Sequence, residues 1–383
     1  MNTVSRELAA LTTPCLLVDY ARLEANVLDM SRRLAAHGVR FRPHVKTHKC
    51  VPIAELMRRS APHFVGITVS TLREAEYFAA AGFHDILYGV SIFPGRFERA
   101  AELLRDSVRL TLILDDLEIA AALHQFLTTE RLRAAVMIEL DVDGHRAGLE
   151  PKDPAVLELA RLLDSASLID FRGVMTHAGE SYLCRGVAEI AEHAERERAG
   201  VVQAANAIRE AGVVCHEVSV GSTPTARYAR DLSGVTEVRP GVFAFYDLVQ
   251  AGIGACQREE IALSVLTTVI GHKRSHRRLL IDAGALALSK DRGTAQQPED
   301  FGFGVVIDAD TGLEKEGLVV TLANQEHGII DLPPELMLED FPIGTRLRIL
   351  PNHACMTAAA HDHYHVLSPT GTIVADWGRC NRW

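Results

Sequence analysis

The strongest constraint on the fold is a regular alternation of apolar and amphipathic segments over the first two thirds of the chain. Segments with helical periodicity alternate with apolar runs that have the residue types of buried strands, and Gly or Pro marks most junctions. Such alternation predicts parallel βαβ units, and eight units over about 215 residues match a (β/α)8 TIM barrel. An open doubly wound sheet is the alternative, weakened because no GxGxxG follows the first strand. The eight runs are residues 39–46, 64–70, 85–91, 109–115, 134–141, 171–179, 216–222 and 236–245.

The pattern of apolar and polar residues in the 383-residue chain changes near residue 255. Helical periodicity fades there, and short strand-like segments separated by turns continue to the end. We therefore expect an α/β fold in which the barrel occupies residues 21–254 and a C-terminal all-β domain occupies residues 255–383. The opening segment 1–20 contains the strand-like PCLLVDY and is a candidate to pair with the β domain.

Composition argues against several classes of partner. The net charge is −10 and there is no basic block, which disfavours nucleic acid and anionic membranes. No stretch approaches the roughly 20 apolar residues of a membrane span, and the N-terminus lacks the apolar run of a secretory signal. The seven cysteines are odd in number and irregularly spaced, without CxxC, as is typical of a reduced cytoplasmic protein.

Chemically useful residues collect where the predicted barrel strands end, which is where barrel enzymes have their sites. The first strand runs into RPHVKTHK, which contains His44 and Lys46; Arg146 follows the fifth, and His177 and Tyr182 follow the sixth. A partly buried lysine can bond covalently to a carbonyl or act as a base. The plainer interpretations are a solvent-facing Lys46 and a hydrogen-bonded core histidine at position 177.

Two glycine-containing loops follow the seventh and eighth predicted strands, GSTPT (221–225) and RPGVF (239–243). Small residues and exposed backbone N–H groups at these places can hold a phosphate, although ordinary turns would look similar. Together with Lys46 they predict pyridoxal 5′-phosphate, with its aldehyde on Lys46, its phenolate oxygen near Arg146 and its ring against His177. The residues predicted to hold the phosphate lie in the two loops: Gly221, Ser222, Thr223, Gly241 and Val242.

A third constellation is PNHACMT (351–357), in the predicted β domain. His353 and Cys355 are two positions apart, so on a strand they would share one face. Imidazole and thiolate suit zinc first, with manganese, cobalt or nickel as alternatives. Two ligands would fit an open catalytic site, whereas a chance pairing is the alternative. The nearby HDHYH (361–365) is interpreted as a partly exposed strand.

The order of these motifs resembles the fold-type III pyridoxal-phosphate enzymes, the alanine-racemase-like group. Within that group it is similar to the metal-dependent branch of D-serine and D-threo-3-hydroxyaspartate dehydratases and D-threonine aldolases. The resemblance covers nearly the whole chain. It rests on RPHVKTHK, ITVSTLREAEYFAAAG, DVDGHRAG, THAGESY, VSVGSTPT, TEVRPGVFAFYD, IDAGALALSKDRG, ANQEHG and PNHACMT.

The resemblance implies a lyase that converts a D-3-hydroxy amino acid to a 2-oxo acid and ammonia. It implies that Lys46 is the base and that His353-Ala354-Cys355 is the dehydratase form of the metal motif, the aldolases having His-Cys-Asp. It implies a homodimer acting on a small molecule. IDAGALALS contains no tyrosine, which disfavours racemisation. Retro-aldol cleavage and a non-catalytic cofactor carrier are the alternatives. Residues with predicted substrate contacts are His44, Arg292 and Gln325.

Overall fold

The computed structural model describes residues 3–144 and 146–383, and residues 3–5 by their backbone alone. The helices are α1 Thr3–Ala10, α2 Tyr20–Ala36, α3 Val51–Ser60, α4 Leu72–Ala80, α5 Phe97–Arg105, α6 Leu117–Glu130, α7 Pro154–Ser165, α8 Val187–Glu210, α9 Thr223–Tyr228, α10 Leu248–Gly252, α11 Ala285–Leu288 and α12 Ala354–Ala358. The strands are β1 Cys15–Asp19, β2 Arg40–Phe41, β3 Ile67–Val69, β4 Asp85–Tyr88, β5 Arg109–Leu114, β6 Ala134–Leu140, β7 Ile169–Thr176, β8 Glu217–Val220, β9 Glu237–Val238, β10 Leu263–Lys273, β11 Arg278–Ile281, β12 Val305–Asp308, β13 Glu314–Ala323, β14 Gly328–Asp331, β15 Arg346–Leu350, β16 His363–Leu367 and β17 Ile373–Gly378.

Strands β2 to β9 form a parallel barrel, as the alternation of strands and helices predicts. Their order is β2-β9-β8-β7-β6-β5-β4-β3, and bridges from Phe41 to Phe64 and from His44 to Thr68 join its two ends. Inside, adjacent strands β4 to β7 each contribute one buried side chain to a shared layer. That layer consists of Leu87, Ile113, Met137 and Met175. The eight-stranded barrel is therefore confirmed, and the doubly wound alternative is wrong.

Several strands are shorter than predicted. The runs 39–46 and 236–245 contain only the two-residue strands β2 and β9. Val45 and Phe243 lie outside those strands yet are fully buried. These runs are apolar because the loops that follow the two strands are buried. An apolar run in a sequence indicates burial, and it does not by itself indicate a strand.

The remaining strands form a nine-stranded sheet in the order β11-β14-β13-β12-β15-β10-β1-β16-β17. Strand β1 lies inside it, antiparallel to β10 (Leu16 opposite Val265) and parallel to β16 (Leu16 opposite Tyr364). One face packs as a core cluster, because apolar side chains from α1 and from separate strands meet there. That cluster contains Leu8, Leu17, Leu266, Ala309 and Leu367.

By compactness the chain forms two units. One contains Met1–Val27 and Val242–Asn381, and the other contains Leu28–Gly241 with Arg382–Trp383. The barrel strands β2 to β9 belong to the second and the nine-stranded sheet to the first. The domain boundaries at 20/21 and 254/255 stay a prediction. Within the described residues, no helix has the length and apolar character needed to cross a membrane.

Candidate active site

The loop that carries Lys46 leaves the barrel directly after β2. The expectation of a strand up to Lys46 is wrong: strand β2 ends at Phe41, and Lys46 lies half-buried in a turn. The N–H of Val45 donates to the carbonyl of Thr68 (2.9 Å), which ties the loop to β3. At the other end Lys49 Nζ lies 3.1 Å from Oε1 of the fully buried Glu74. The Lys46 turn is therefore held from both sides.

His44 is a neutral imidazole beside this turn. The N–H of Lys46 donates to His44 Nδ1 (3.4 Å), so Nδ1 is the acceptor and Nε2 carries the hydrogen toward Ser70 Oγ (3.3 Å). Burial, and then the positive charge of Lys46, lowers the pKa of His44 well below its usual value. His44 thus supplies hydrogen bonding without adding positive charge next to the lysine.

His177 follows β7 and is also uncharged. Its Nδ1 faces the carbonyl oxygen of Gly221, which can only accept, so Nδ1 carries the hydrogen. Burial, reinforced by the charges of Lys46 and Arg146, lowers the pKa of His177 to about 3. The ring of Tyr182 lies 6.2 Å away between centroids. Four predicted residues of the barrel therefore lie close enough to influence one another electrostatically. They are His44, Lys46, Arg146 and His177, of which Arg146 is exposed.

The loops after β8 and β9 require glycine at two positions. Gly221 has φ +154°, and a Cβ there would lie 2.7 Å from the backbone nitrogen of Arg239. A Cβ on Gly241 would lie 3.0 Å from the carbonyl oxygen of His44, so this loop runs against the Lys46 loop. The N–H of Gly241 donates to Thr223 Oγ1 (3.2 Å), which joins the two predicted phosphate loops.

Ser222 and Val242 complete this set of predicted residues. Ser222 caps helix α9: its Oγ accepts the N–H of Thr225 (3.2 Å) and also contacts Ser181 Oγ (2.8 Å). Val242 opens a buried turn of 3-10 helix, Val242–Ala244, and belongs to the compact unit of the nine-stranded sheet.

Glu197 was missed by the sequence argument, although it supports two of these loops. Its Oε1 accepts the N–H groups of Ala178 and Gly221, both at 3.0 Å. The side chain is 2% exposed, and burial raises its pKa. A signal was available in helix α8, because Glu197 is the one charged residue in a buried stripe at helical spacing. The other members of that stripe are Ile190, Ala191, Ala194, Val201, Ala204, Ala205 and Ile208.

The predicted metal ligands lie on a helix start rather than on a strand. Strand β15 ends at Leu350, and His353 is the N-cap of α12, with Cys355 in the first turn of that helix. Pro351 explains the error, because it has no N–H to continue the sheet ladder. The two side chains nevertheless meet through a hydrogen bond between imidazole and thiol.

Two carboxylates that the sequence argument missed hold this pair. His353 Nδ1 lies 2.6 Å from Asp291 Oδ2. Asp247 accepts the N–H of Ala354 at Oδ2 and the N–H of Gln250 at Oδ1, both at 2.9 Å, and so ties the start of α12 to α10. Burial lowers the pKa of His353, but the hydrogen bonds to Asp291 and Cys355 outweigh it and raise the pKa to about 11.

The surroundings of His353 are therefore electronegative and suit a cation. In the described part of the chain no group of three or more His, Cys, Asp or Glu side chains has a metal-binding arrangement. That His353 and Cys355 are ligands of an open metal site stays a prediction.

The two predicted substrate residues in this unit have protein contacts already. Arg292 Nη2 lies 2.5 Å from Asp300 Oδ2, and its guanidinium lies 5.0 Å from the ring centroid of Phe303. Gln325 is exposed, and its Nε2 donates weakly to Glu326 Oε1 (3.4 Å). Their contact with substrate stays a prediction.

Comparison with known proteins decides the family. The profile of the alanine racemase N-terminal domain matches residues 18–248, and that of a putative serine dehydratase domain matches residues 262–367. This chain belongs to the alanine racemase family. The first match contains Lys46 and the loops described above, and the second contains His353 and Cys355. The fold is that of a pyridoxal-phosphate-dependent family, as the motif order implied.

Within the alanine racemase family the chain is similar to several lyases. It is 48% identical to D-threo-3-hydroxyaspartate dehydratase of Delftia sp. (strain HT23), over 98% of this chain and 99% of that one. Identity to D-serine dehydratase of Dictyostelium discoideum is 31%, with both chains fully covered. D-threonine aldolase of an Arthrobacter species is 29% identical over 93% of this chain and 89% of that one.

Solved structures of the Delftia dehydratase have the same fold. One superposes with a TM-score of 0.95 at 47% identity, covering 98% of this chain and 100% of that chain. Another, with equal TM-score, is a cysteine-to-alanine variant in the metal-free form. The predicted fold and the predicted class, a D-amino acid lyase of the dehydratase branch, are thereby confirmed.

Proposed function

We propose that this protein is a dehydratase that uses pyridoxal 5′-phosphate and a divalent metal and acts on D-3-hydroxy amino acids. D-threo-3-hydroxyaspartate or D-serine would be converted to a 2-oxo acid and ammonia by a homodimer in the cytoplasm. The observation that carries the proposal is the His353–Cys355 pair, held at the start of α12 by Asp291 and Asp247. Identity of 48% over nearly the whole length to a dehydratase supports it.

The barrel residues fit a phosphate-bearing cofactor. Gly221 and Gly241 let the two loops pack closely against the backbone of Arg239 and His44, which fixes the loops where the phosphate would lie. Lys46, Arg146 and Arg239 give the neighbourhood of His177 a positive potential. Lys46 would bind the aldehyde, His177 and Tyr182 would face the ring, and Ser222, Thr223 and Val242 would lie at the phosphate.

The His353–Cys355 pair fits a divalent metal by its donor set. Because Asp291 accepts from Nδ1, the imidazole is oriented with Nε2 as the nitrogen left for a ligand bond. A nitrogen and a sulfur donor favour zinc, with manganese, cobalt and nickel as alternatives. The metal-free form of a cysteine-to-alanine variant of D-threo-3-hydroxyaspartate dehydratase supports the role of the thiol.

When bound, the cofactor supplies an electron sink for charge at Cα, and the metal supplies a Lewis acid for the departing hydroxyl. Lys46 would then accept the Cα proton of the D-amino acid, and neutral His44 beside it adds no further positive charge near that amine. His353 and Cys355 would hold the metal, whose Lewis acidity would assist departure of the β-hydroxyl. The β-hydroxyl leaves as water, and hydrolysis of the resulting enamine takes up one water and releases ammonia, which gives pyruvate from D-serine or oxaloacetate from 3-hydroxyaspartate.

The test is product analysis on one substrate panel. Purified protein is incubated with D-serine, D-threonine and the four 3-hydroxyaspartate isomers, with and without added metal. We expect ammonia and a 2-oxo acid in equal amounts, lost after chelation when metal removal is verified. Turnover that continues without metal would contradict the metal role. No turnover of any substrate, with cofactor and metal bound, would instead indicate a non-catalytic carrier.

Retro-aldol cleavage is the second candidate, because aldolases are among the similar proteins. It would use the same cofactor and metal but give glycine and an aldehyde. The same panel separates the two reactions, since glycine formed without ammonia would support the aldolase. The motif favours the dehydratase, because alanine and cysteine follow His353 where the aldolases carry Cys-Asp.

A further inference from the structure

A cavity of about 140 Å³ lies in the unit of the nine-stranded sheet, and none of the candidate active-site residues lines it. Its lining comes from Leu8 on α1, Asp19 and Arg22 where β1 meets α2, residues 309–312 after β12, Arg348 on β15, and residues 367–371 at the end of β16 and after it. Two guanidinium groups, those of Arg22 and Arg348, and two carboxylates, those of Asp19 and Asp310, belong to this lining.

Arg348 is a buried cation without a carboxylate partner. Its side chain is 5% exposed, and its Nε donates to Ser264 Oγ (3.0 Å). It makes no ion pair with any residue that the structure describes. Burial, and then the positive charge of Arg22, lowers the pKa of Arg348 to about 10. An arginine in this state is destabilising unless an anion joins it, because a buried charge needs a partner.

The guanidinium group of Arg22 lies at the same cavity as that of Arg348. Its Nη1 donates to the carbonyl of Ile261 (3.1 Å) and its Nε lies 3.4 Å from Asp19 Oδ2, which leaves Nη2 to face the cavity. A methyl group placed on Gly312 would lie 3.5 Å from Arg348 Nη1 and 3.8 Å from Arg22 Nη2. Both guanidinium groups therefore reach one small region beside Gly312.

The ion pairs of the nearby carboxylates are with residues other than Arg348. Asp19 accepts the N–H of Arg22 (3.0 Å) in addition to the contact with its Nε. Asp308 lies 3.0 Å from Lys315 Nζ and accepts hydrogen bonds from the backbone and side chain of Thr311. Asp310 also lines the cavity but is exposed. Among the described residues Arg348 thus has no carboxylate within ion-pair distance, and Asp19 and Asp308 act on it only at longer range.

We propose that this cavity binds a small tetrahedral oxyanion, phosphate or sulfate, between Arg22 and Arg348. Paired guanidinium groups match such an anion in geometry and charge. Ser368 and Thr370 line the same cavity; their hydroxyls lie 2.8 Å apart, and one of the two can turn its hydrogen toward an anion. The volume is well below the roughly 300 Å³ at which pockets for larger organic ligands begin, which excludes a nucleotide. The anion would join α2, the turn after β12 and the β16–β17 hairpin.

Thermal unfolding tests the proposal on protein saturated with pyridoxal phosphate, so that the barrel loops do not compete for anion. Phosphate, sulfate, acetate and chloride are compared at equal ionic strength. We expect Tm to rise by a few degrees and to saturate with phosphate and sulfate only. Arg348→Met and Arg22→Met should lose that rise. The control Arg274→Met changes an exposed arginine that pairs with Glu339 (2.8 Å) and should keep it.

Two outcomes would overturn the proposal. An equal rise in Arg348→Met and in the unchanged protein would show a general salt effect. A rise with acetate alone would contradict a tetrahedral ligand. If Arg348→Met does not fold, crystals soaked in selenate give an independent answer. Anomalous density between Arg22 and Arg348 supports the site, and its absence at saturating selenate refutes it.

Discussion

His177 and His353 are both half-buried, yet their pKa values are shifted in opposite directions. The Nδ1 of His177 faces a backbone carbonyl, and burial with two nearby cations lowers the pKa of that imidazole to about 3. The Nδ1 of His353 faces the carboxylate of Asp291, and its hydrogen bonds outweigh burial and raise the pKa to about 11. The same residue type is therefore neutral in the barrel and cationic beside α12.

The difference teaches what each region is suited to bind. Around His177 the fixed charges are positive, from Lys46, Arg146 and Arg239, and favour an anionic cofactor. Around His353 the polar neighbours are Asp291, Cys355 and Asp247, and they favour a cation that replaces the imidazole proton. A substitution in the barrel region should therefore leave metal binding intact, and a substitution near His353 should leave cofactor binding intact.

The largest effect should come from Lys46→Ala. We expect loss of the visible absorbance of bound pyridoxal phosphate and a fall in activity of at least about 10²–10⁴-fold, because the base is removed. Metal content, measured by mass spectrometry, should not change. The exposed Lys152→Ala is the matched control. Survival of the absorbance band in Lys46→Ala would contradict the cofactor assignment.

Cys355→Ala should have the reverse pattern. We expect the cofactor absorbance to persist while bound metal and metal-dependent turnover are lost, because one of two protein ligands is gone. Cys15→Ala, which removes a thiol from β1 in the same unit, is the control and should keep its metal. Normal metal content in Cys355→Ala would refute the ligand role of the thiol.

Asp291→Asn should have an intermediate effect. The variant replaces the carboxylate that accepts from His353 Nδ1 with a neutral amide, which orients the imidazole less strongly. Metal affinity should therefore fall about 10- to 100-fold while the cofactor stays bound. Competition with a chelator of known affinity measures the change. Asp300→Asn removes a carboxylate that pairs with Arg292 instead and should leave metal affinity unchanged. Equal affinity in both variants would show that Asp291 has no role at the metal.

The smallest effect should come from Glu197. Replacing it with leucine leaves the N–H groups of Ala178 and Gly221 without an acceptor, and we expect cofactor affinity to fall about tenfold. Glu197→Gln keeps a carbonyl acceptor, so its cofactor affinity should be close to that of the unchanged protein. If Glu197 only stabilised the fold, the leucine and glutamine variants would instead lose thermal stability equally. Titration of the apoprotein with cofactor, read by fluorescence, distinguishes these results.

Residues with distinctive chemistry could be named as candidates from the sequence. Candidates chosen by residue type and by place in the predicted fold were Lys46, the loops 221–225 and 239–243, and the pair His353 and Cys355, and their roles stay predictions. The barrel was predictable for a related reason, since strand and helix periods leave a strong pattern in the sequence.

Residues that act through position were not predictable. Glu197, Asp247 and Asp291 are ordinary acids in the sequence, and only the fold shows that each accepts hydrogen bonds from a loop or side chain of a site. The helix at His353 was missed because the strand-like run of β15 was extended past Pro351. The type of a residue indicates what chemistry its side chain can perform. Which carboxylate supports that side chain depends on the tertiary structure.

The place of β1 inside the nine-stranded sheet has a consequence for biosynthesis. Leu16 leaves the ribosome early, but its strand neighbours include Tyr364, more than three hundred positions later. At 5–20 residues per second that partner follows after on the order of 20–70 s. The barrel can therefore form before β1 is paired with β16, and the sheet of the unit that contains His353 and Cys355 is completed last. A C-terminal fragment made alone would lack an interior strand, so the proposed metal site should form only in the intact polypeptide.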